Sequence, residues 1–256
     1  MFLEDLKKQI PEEYFFYSNS IFNLFDLEKI NDFYLFLKEN NEIGGFFSKA
    51  DSERIASRHI YESMVYIYYL KEYVNVSRET SILDVGSGPG IPGYILYCLK
   101  ENPKVSLLDS SRRRLQFIEK YIKQKNYSDI QIIYKRIEEW TQQFDVVITR
   151  ALIPFPYNAV LLRHSFINVA AIFSGNIQIN ENIIQYLKKN NLIIKNNIKI
   201  LELEFLGERY LILLSHIDRT KKLKPIKWKT LRREMDELHN SNSKPKGWSR
   251  QNNIHN

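Results

Sequence analysis

The sequence is poor in cysteine and has no long apolar run. Cys98 is the only cysteine among 256 residues, so no disulfide can form within the chain, and no Cys/His cluster has zinc-site spacing. No window of about 18 apolar residues occurs, as a membrane-spanning helix would require. The first residues, MFLEDLKKQIPEE, are acidic and lack the apolar stretch of a signal peptide. We therefore expect a cytoplasmic protein with no metal ion and no membrane partner.

Acidic residues are scarce at one end of the chain. The whole sequence holds 37 Lys and Arg against 30 Asp and Glu, a formal net charge of +7. Residues 219–256 contain eleven of the basic and three of the acidic side chains, whereas residues 1–218 contain 26 and 27. The body is thus almost neutral and the tail carries the basic excess. Such a tail indicates a polyanionic partner.

Local patterns divide the chain into three predicted parts. Residues 1–75 are predicted to form a helical extension packed on the core, residues 76–218 the core itself, and residues 219–256 a basic tail. The tail shows no sustained apolar period, although residues 223–238 are able to form one short basic helix. We therefore expect the chemistry to lie in the core.

Helical patterns fill the first part. Apolar residues recur at intervals of three and four between Leu27 and Leu37, which predicts an amphipathic helix. The Asn- and Gly-rich cluster at 40–45 is expected to end that helix. Ser52 is the predicted N-cap of a second helix, which runs from Glu53 to about Tyr73.

After Ser81 the pattern changes to short apolar runs that alternate with helices. The predicted parallel strands cover residues 82–85, 105–109, 130–134, 144–148 and 167–173, with a helix at 111–123. Two further strands, 193–205 and 209–215, meet near Gly207 and are expected to form an antiparallel pair at the sheet edge. This order predicts an α/β fold with a doubly wound, mostly parallel sheet.

The strongest single signal is the glycine-rich segment DVGSGPGIPG, from Asp84 to Gly93, between the first strand and the next helix. Its Asp-x-Gly-x-Gly-x-Gly order differs from the dinucleotide-binding fingerprint and from a phosphate-binding loop. It is similar to the first motif of S-adenosylmethionine-dependent methyltransferases. In that interpretation Gly86, Gly88 and Gly90 let the cofactor approach the backbone, and Asp84 faces its cationic groups. A tight turn without a ligand is the alternative.

Three later segments complete the predicted cofactor site. Asp109 ends the second strand and is placed to accept hydrogen bonds from ribose hydroxyls, unless it caps the following helix. At Ile137 and Glu138 a backbone amide and an apolar side chain would hold the adenine, and the alternative is an acidic first turn of a helix. Arg150 ends the fourth strand, where it can pair with a cofactor carboxylate, a substrate phosphate or a surface acid.

Five segments in a fixed order resemble one family. They are DVGSGPGIPG at 84–93, LLDS at 107–110, RIEE at 136–139, TRA at 149–151 and GERY at 207–210. Together they resemble the RsmG family, also called glucose-inhibited division protein B, whose members methylate N7 of a guanine in bacterial small-subunit ribosomal RNA. The similarity extends from Asn40 to His216. It implies a Rossmann-like class I methyltransferase fold with N-terminal helices, and S-adenosyl-L-methionine as the cofactor.

The resemblance also assigns individual residues. The run HIYES that starts at His59 looks like the family's His-x-x-Asp-Ser, which makes His59 a candidate substrate contact. The chain departs from the family at 43–47, where Asn-Leu-Thr is usual, and at 174–175, where Lys-Gly is usual. The implied cofactor contacts are Gly86, Ile91, Ile137, Glu138 and Arg150.

Basic side chains supply the candidate RNA contacts. One group is the cluster that contains Arg112 and Arg113, although such a run can also be a solvated helix face. The other is the tail, where Trp228 could stack on an unpaired base, and the alternative is a disordered solubilising segment. The tail candidates are Lys221, Lys222, Lys224, Lys227 and Trp228.

The predicted partner is small-subunit ribosomal RNA or the assembling small subunit, bound by a monomer. Methylation of guanine N7 requires no general base, because N7 carries a free lone pair at neutral pH. Two other functions stay open at this point. One is a methyltransferase of the same fold that acts on a small molecule or a protein. The other is an RNA-associated protein that binds S-adenosylmethionine without catalysis.

Overall fold

The structure is a computed structural model that describes residues 1–242, with side chains described as far as Asp236. Residues Met1–Pro225 form one compact unit, and a second unit begins at Ile226. The helices of the first unit are α1 (Phe2–Gln9), α2 (Glu12–Phe15), α3 (Ser18–Phe22), α4 (Leu27–Gly44), α5 (Lys49–Ser52), α6 (Glu62–Tyr73), α7 (Gly93–Tyr97), α8 (Arg112–Gln124), α9 (Tyr157–Leu162) and α10 (Glu181–Lys189). The second unit contains α11 (Trp228–Asn242).

One seven-stranded sheet organises the first unit. Its strands are β1 (Ser81–Val85), β2 (Lys104–Leu108), β3 (Ile130–Ile133), β4 (Phe144–Arg150), β5 (Phe166–Ser174), β6 (Leu192–Lys199) and β7 (Tyr210–His216). Their spatial order is β3-β2-β1-β4-β5-β7-β6. Strands β1 to β5 pair in parallel, and β7 pairs antiparallel with both β5 and β6. The predicted parallel sheet with an antiparallel edge is confirmed.

The strands form where apolar residues are dense enough to be buried on both faces. In β1, Ile82 and Leu83 are fully buried although they point to opposite faces. The same holds for the neighbouring Val147 and Ile148 of β4. Because β1, β2 and β4 run in parallel, their carboxyl ends meet at one edge of the sheet, where open α/β sheets bind ligands.

Helix α4 extends further than the sequence predicts. Its apolar stripe is buried as expected, and Phe33 packs on the ring of Tyr94 at 4.1 Å. The Asn-rich segment at 40–44 does not break the helix. The helix ends at Gly45, which adopts a left-handed conformation with φ of 61° and donates its N–H to the carbonyl of Asn41.

The helix predicted from Glu53 is divided. Ser52 is not an N-cap, because its hydroxyl donates to the carbonyl of Lys49 and Ser48 caps the short helix α5 instead. Residues Ile55–Tyr61 then form a π-helix, which leads directly into α6. Such widened turns are rare and often lie at functional sites. This π-helix carries His59.

The last predicted strand pair is also shorter than expected. Strand β6 ends at Lys199, and Leu201–Leu206 forms a 3-10 helix where a continued strand was predicted. Gly207, with φ of 91°, then turns the chain into β7. Within residues 1–242, no helix is both long enough and apolar enough to cross a membrane.

Candidate active site

The glycine loop between β1 and α7 is held against the end of β2. Gly86, Gly88 and Gly90 have φ of 79°, 54° and 101°, a region that glycine adopts without strain. The backbone N–H groups of Gly86 and Ser87 both donate to the carbonyl of Leu108, at 2.8 and 3.2 Å. The loop therefore lies at the sheet edge where the carboxyl ends of β1 and β2 meet.

Asp84 lies beneath this loop. Its side chain is fully buried, and its Oδ2 accepts a hydrogen bond from the N–H of Gly93 at 2.8 Å. Its Oδ1 is enclosed without a hydrogen-bond partner among residues 1–242. Burial raises the pKa of Asp84 to about 7. Asp84 therefore anchors the start of α7 through Oδ2, and its contact with the cofactor stays a prediction.

Asp109 closes the other side of the loop. Its Oδ2 accepts from the N–H of Gly88 at 2.9 Å, and its Oδ1 accepts from the N–H of Ser111 at 2.7 Å. Arg114 approaches the same Oδ2 at 3.6 Å. A side chain built on Gly88 would meet only this guanidinium, at 3.6 Å. The space beyond Gly88 therefore holds one flexible arginine side chain, while Asp109 itself is only 5% exposed.

Three further predicted cofactor residues lie in the turn before α7 and in the turn after β3. Ile91 is buried, at 7% exposure, in the turn before α7. Ile137 is buried in a 3-10 turn after β3, and its carbonyl accepts a hydrogen bond from His164 Nε2 at 3.2 Å. Glu138, next in that turn, is half-buried and lies 3.8 Å from Arg136. The structure thus places an apolar side chain and an acid after β3, beside the end of β2.

Arg150, at the end of β4, lies inside a polar network and forms no surface salt bridge. Its Nη2 donates to Nδ1 of His59 at 2.7 Å. Its Nη1 lies 3.3 Å from Ser63 Oγ, 3.3 Å from the carbonyl of Arg58 and 3.7 Å from Glu62 Oε2. The π-helix and α6 thus hold the guanidinium against the carboxyl edge of the sheet.

Two residues that the sequence did not identify as site residues complete the network. Glu62 accepts through Oε1 from Nε of Arg209 at 2.5 Å, so one carboxylate bridges two arginines. The side chains of Glu62, Arg209 and Arg150 are only 7%, 14% and 16% exposed. Arg209 belongs to the GERY turn and Glu62 to the HIYES run. Both motifs can be recognised in the sequence, but only the structure shows that Glu62 and Arg209 are in contact.

The hydrogen bond from Arg150 determines which ring nitrogen of His59 carries the proton. A guanidinium has only donors, so Nδ1 of His59 must be the acceptor and the proton must lie on Nε2. Burial and the neighbouring Arg150 and Arg58 lower the pKa of His59 to about 2, which keeps the ring neutral. The ring stacks on Phe47 with centroids 3.9 Å apart. Its Nε2 is enclosed without a partner among the residues described.

A cleft of about 730 Å³ opens beside this network. Its walls come from the π-helix, from α6 and from the loops that follow β4 and β5. Ser174 and Gly175 lie where the family usually has Lys-Gly, and the carbonyl of Ser174 is held by the hydroxyl of Tyr66 at 2.7 Å. Arg58 lines the cleft and pairs with Asp51 at 3.0 Å. The volume suits a ligand the size of a nucleotide.

Of the candidate substrate and RNA contacts in the first unit, His59 lines this cleft, whereas Arg112 and Arg113 do not. Arg113 donates to the carbonyl of Ile43 at 2.9 Å, and Arg112 lies over the ring of Tyr134 at 5.7 Å. In the tail, α11 begins at Trp228, five residues later than the predicted helix of residues 223–238, so Lys224 and Lys227 precede the helix. Lys221, Lys222, Lys224 and Lys227 are all exposed. In the part of the chain that the structure describes, no three His, Cys, Asp or Glu side chains are grouped to hold a metal ion.

Comparison with known proteins identifies close relatives. A family model described as rRNA small subunit methyltransferase G matches residues 26–204. A protein of Leptospira biflexa named ribosomal RNA small subunit methyltransferase G is 40% identical over 217 residues, which are 82% of this chain and 88% of the relative. A protein of the same name from Leptospira borgpetersenii is 32% identical over 237 residues, covering 90% and 91%.

Solved structures show the same architecture. The crystal structure of magnesium protoporphyrin IX methyltransferase from Synechocystis with bound SAM aligns with a TM-score of 0.50 at 11% identity. The alignment covers 71% of this chain and 96% of that one. At this identity the likeness concerns the fold alone, and it confirms the predicted class I methyltransferase fold.

Proposed function

Because the chain belongs to the family of rRNA small subunit methyltransferase G, we propose that it transfers a methyl group from S-adenosylmethionine to N7 of one guanine in small-subunit ribosomal RNA. The observation that carries the proposal is the juxtaposition of two sites at one sheet edge. The glycine loop with Asp109 forms the first, and the cleft beside Arg150 forms the second. A methyltransferase requires a cofactor and a nucleophile to meet in this way.

The residues around the glycine loop suit the cofactor. Gly88 offers an open backbone, Asp109 offers carboxylate lone pairs to ribose hydroxyls, and buried Ile137 offers an apolar wall for adenine. Arg150 supplies the positive charge that an amino-acid carboxylate requires. When bound, S-adenosylmethionine supplies an electrophilic methyl carbon attached to a sulfonium. The protein's task is to hold that carbon and the acceptor in line and to exclude water.

The cleft suits the acceptor base. In A-form RNA the groove that displays N7 is deep and narrow, so the target guanine must be unpaired or extruded to reach the enzyme. A cleft of about 730 Å³ can receive such a base. N7 attacks with its own lone pair, so the neutral and enclosed His59 need not act as a base. His59 instead holds Arg150 in place through Nδ1.

The proposal is tested by mapping a methylated guanine. Purified protein, S-adenosylmethionine and small subunits from a strain that lacks the gene should yield one 7-methylguanine in the 16S RNA. Borohydride and aniline then cleave the RNA at that base. Arg150→Ala should lower methyl transfer at least about tenfold, because a buried charged contact is lost. Arg78→Ala, which removes an exposed arginine at the opposite end of β1, is the control.

Methylation of a tRNA, a protein or a small molecule, with none in small-subunit RNA, would refute the assignment. Binding of the cofactor without transfer to any RNA would instead favour a protein that has kept the pocket and lost catalysis. Near wild-type turnover by Arg150→Ala, in protein that stays folded by circular dichroism, would remove Arg150 from the site.

We propose that the basic tail binds the RNA substrate. The lysines before α11 are exposed, and each phosphate contact contributes about 0.7–0.9 to the slope of log K against log salt. Changing three of them to Gln should therefore reduce that slope by about 2 to 3. An unchanged slope would exclude this role. The triple variant is Lys221→Gln, Lys222→Gln and Lys224→Gln, and its charge-matched control is Lys188→Gln, Lys189→Gln and Lys195→Gln.

The protein is further proposed to work as a monomer in the cytoplasm. The near-neutral body and the basic tail support association with RNA more than with a second copy of the chain. Light scattering at micromolar concentration should give a mass close to 30.6 kDa. A mass near twice that value would contradict the proposal.

A further inference from the structure

Arg58 is the most exposed of the arginines that line the cleft within residues 1–242. Its side chain is 40% exposed, whereas those of Arg150 and Arg209 are 16% and 14% exposed. The backbone of Arg58 is tied to the site, because its carbonyl accepts a hydrogen bond from Nη1 of Arg150 at 3.3 Å. Arg58 therefore begins at the polar network and presents part of its side chain to solvent.

The guanidinium of Arg58 has few partners in the protein. Its Nε forms an ion pair with Oδ1 of Asp51 at 3.0 Å. No other acceptor within residues 1–242 bonds to this guanidinium, so both Nη groups keep their N–H donors. Asp51 is itself 33% exposed, and an ion pair this open to water contributes little to stability. A second anion can therefore engage Arg58 at small cost.

The chemistry of this side chain suits a phosphate. A guanidinium presents paired N–H donors that match two oxygens of a phosphate group. The other two arginines of the cleft donate to neighbours inside the protein, Arg150 to His59 and Arg209 to Glu62. An RNA base in the cleft is joined through its ribose to phosphates on both sides. It therefore brings a phosphate close to the cleft, where Arg58 has donors to offer.

We infer that Arg58 binds one of the two RNA phosphates that flank the target base and so holds the nucleotide in the cleft. The inference rests on the proposed function, which brings an RNA base into this cleft. In this role Arg58 contacts neither N7 nor the methyl carbon, so it is a substrate-binding residue and not a catalytic one. The contact is equally strong before and during methyl transfer. Its loss should therefore raise KM and leave kcat almost unchanged.

The test removes the charge of Arg58 and, separately, the charge of each phosphate. Arg58→Gln removes the guanidinium and keeps a polar side chain. Arg54→Gln is the matched control, because Arg54 precedes the same π-helix, is exposed and does not line the cleft. In the modified small-subunit RNAs an uncharged methylphosphonate replaces the phosphate on one side or the other of the mapped guanine. Thermal unfolding and calorimetric binding of S-adenosylmethionine should be close to wild type for Arg58→Gln.

The expected result is a shared loss. On unmodified RNA, Arg58→Gln should raise KM about tenfold and change kcat less than about threefold, as expected when one hydrogen bond between charged groups is lost. At one of the two positions the methylphosphonate should raise KM by a similar factor for the wild type and for Arg54→Gln. It should have no further effect on Arg58→Gln, because the two changes remove the same contact.

Methylphosphonate effects that are as large for Arg58→Gln as for the wild type would overturn the inference, and so would an unchanged KM on unmodified RNA. Weaker binding of S-adenosylmethionine by Arg58→Gln would assign the guanidinium to the cofactor carboxylate and overturn it as well. In each of these cases the wild type still methylates guanine in unmodified RNA, so the proposed function stands. Absence of that methylation would overturn the proposed function and, with it, the phosphate contact.

Discussion

Replacing Glu62 with Gln should destabilise the protein strongly, although it changes a single atom. Glu62 is the only acid in contact with both Arg150 and Arg209 among residues 1–242, and all three side chains are largely buried. In the wild type the three groups sum to one positive charge. In Glu62→Gln they sum to two, and both arginines lose the carboxylate that stabilises their charge.

The magnitude follows from the burial. Breaking a buried ion pair by removing one partner costs about 3–5 kcal/mol. The arginines retain 14% and 16% exposure, so water screens part of the charge and we expect a value near the lower limit, about 3 kcal/mol. For a chain of this size that loss corresponds to a fall in Tm of about 6–12 °C.

Chemical denaturation and thermal unfolding at low salt measure the effect. The control is Glu204→Gln, because Glu204 pairs with Lys199 at 2.9 Å in a site that is 38% and 44% exposed, and such pairs contribute less than about 1 kcal/mol. Glu62→Gln combined with Arg209→Gln should recover part of the loss, since one unpaired charge is removed. A loss for Glu62→Gln no larger than that for Glu204→Gln would refute the reasoning.

Two further predictions concern the glycine loop. In Gly93→Ala, the new Cβ would lie 2.8 Å from Oδ2 of Asp84 and closer still to Leu107, so unfolding free energy should fall by about 1–3 kcal/mol. Gly175→Ala, whose nearest neighbour is 3.9 Å away, should be nearly neutral, and equal losses would contradict the packing argument. A third prediction follows from the raised pKa of Asp84. Between pH 4 and 7 this carboxyl group is protonated in the folded protein and ionised in the unfolded chain. The free energy of unfolding should therefore fall as pH rises through that range. Asp84→Asn lacks this titration, so its stability relative to the wild type should increase between pH 4.5 and 8, by at most about 4 kcal/mol. A stability difference that does not change with pH would contradict the prediction.

Apolar periodicity was sufficient to predict the sheet. Runs such as residues 82–85 and 144–148 are too short for helices and are bounded by turn residues, so their interpretation as buried strands was well constrained. The glycine order and the acid at 109 then placed the loop at the carboxyl edge. Strands and the glycine loop could be predicted because each is determined by residues that are close together in the sequence.

The site wall depends on contacts that no local pattern encodes. The π-helix at Ile55–Tyr61 has the same apolar spacing as an α-helix, so its widened turn could not be foreseen. The hydrogen bond from the N–H of Gly93 to Oδ2 of Asp84 likewise carries no signal in the sequence.

The bond between Glu62 and Arg209 also bears on when the site can form during folding. It joins residues 147 positions apart, and Arg209 directly precedes β7, the last strand of the sheet among residues 1–242. The glycine loop needs only β1 and β2, whose contacts are closer in sequence and form with a smaller loss of chain entropy. A nascent or truncated chain can therefore build the cofactor loop before it has a base-binding wall. Methylation competence is thereby restricted to chains whose sheet is complete.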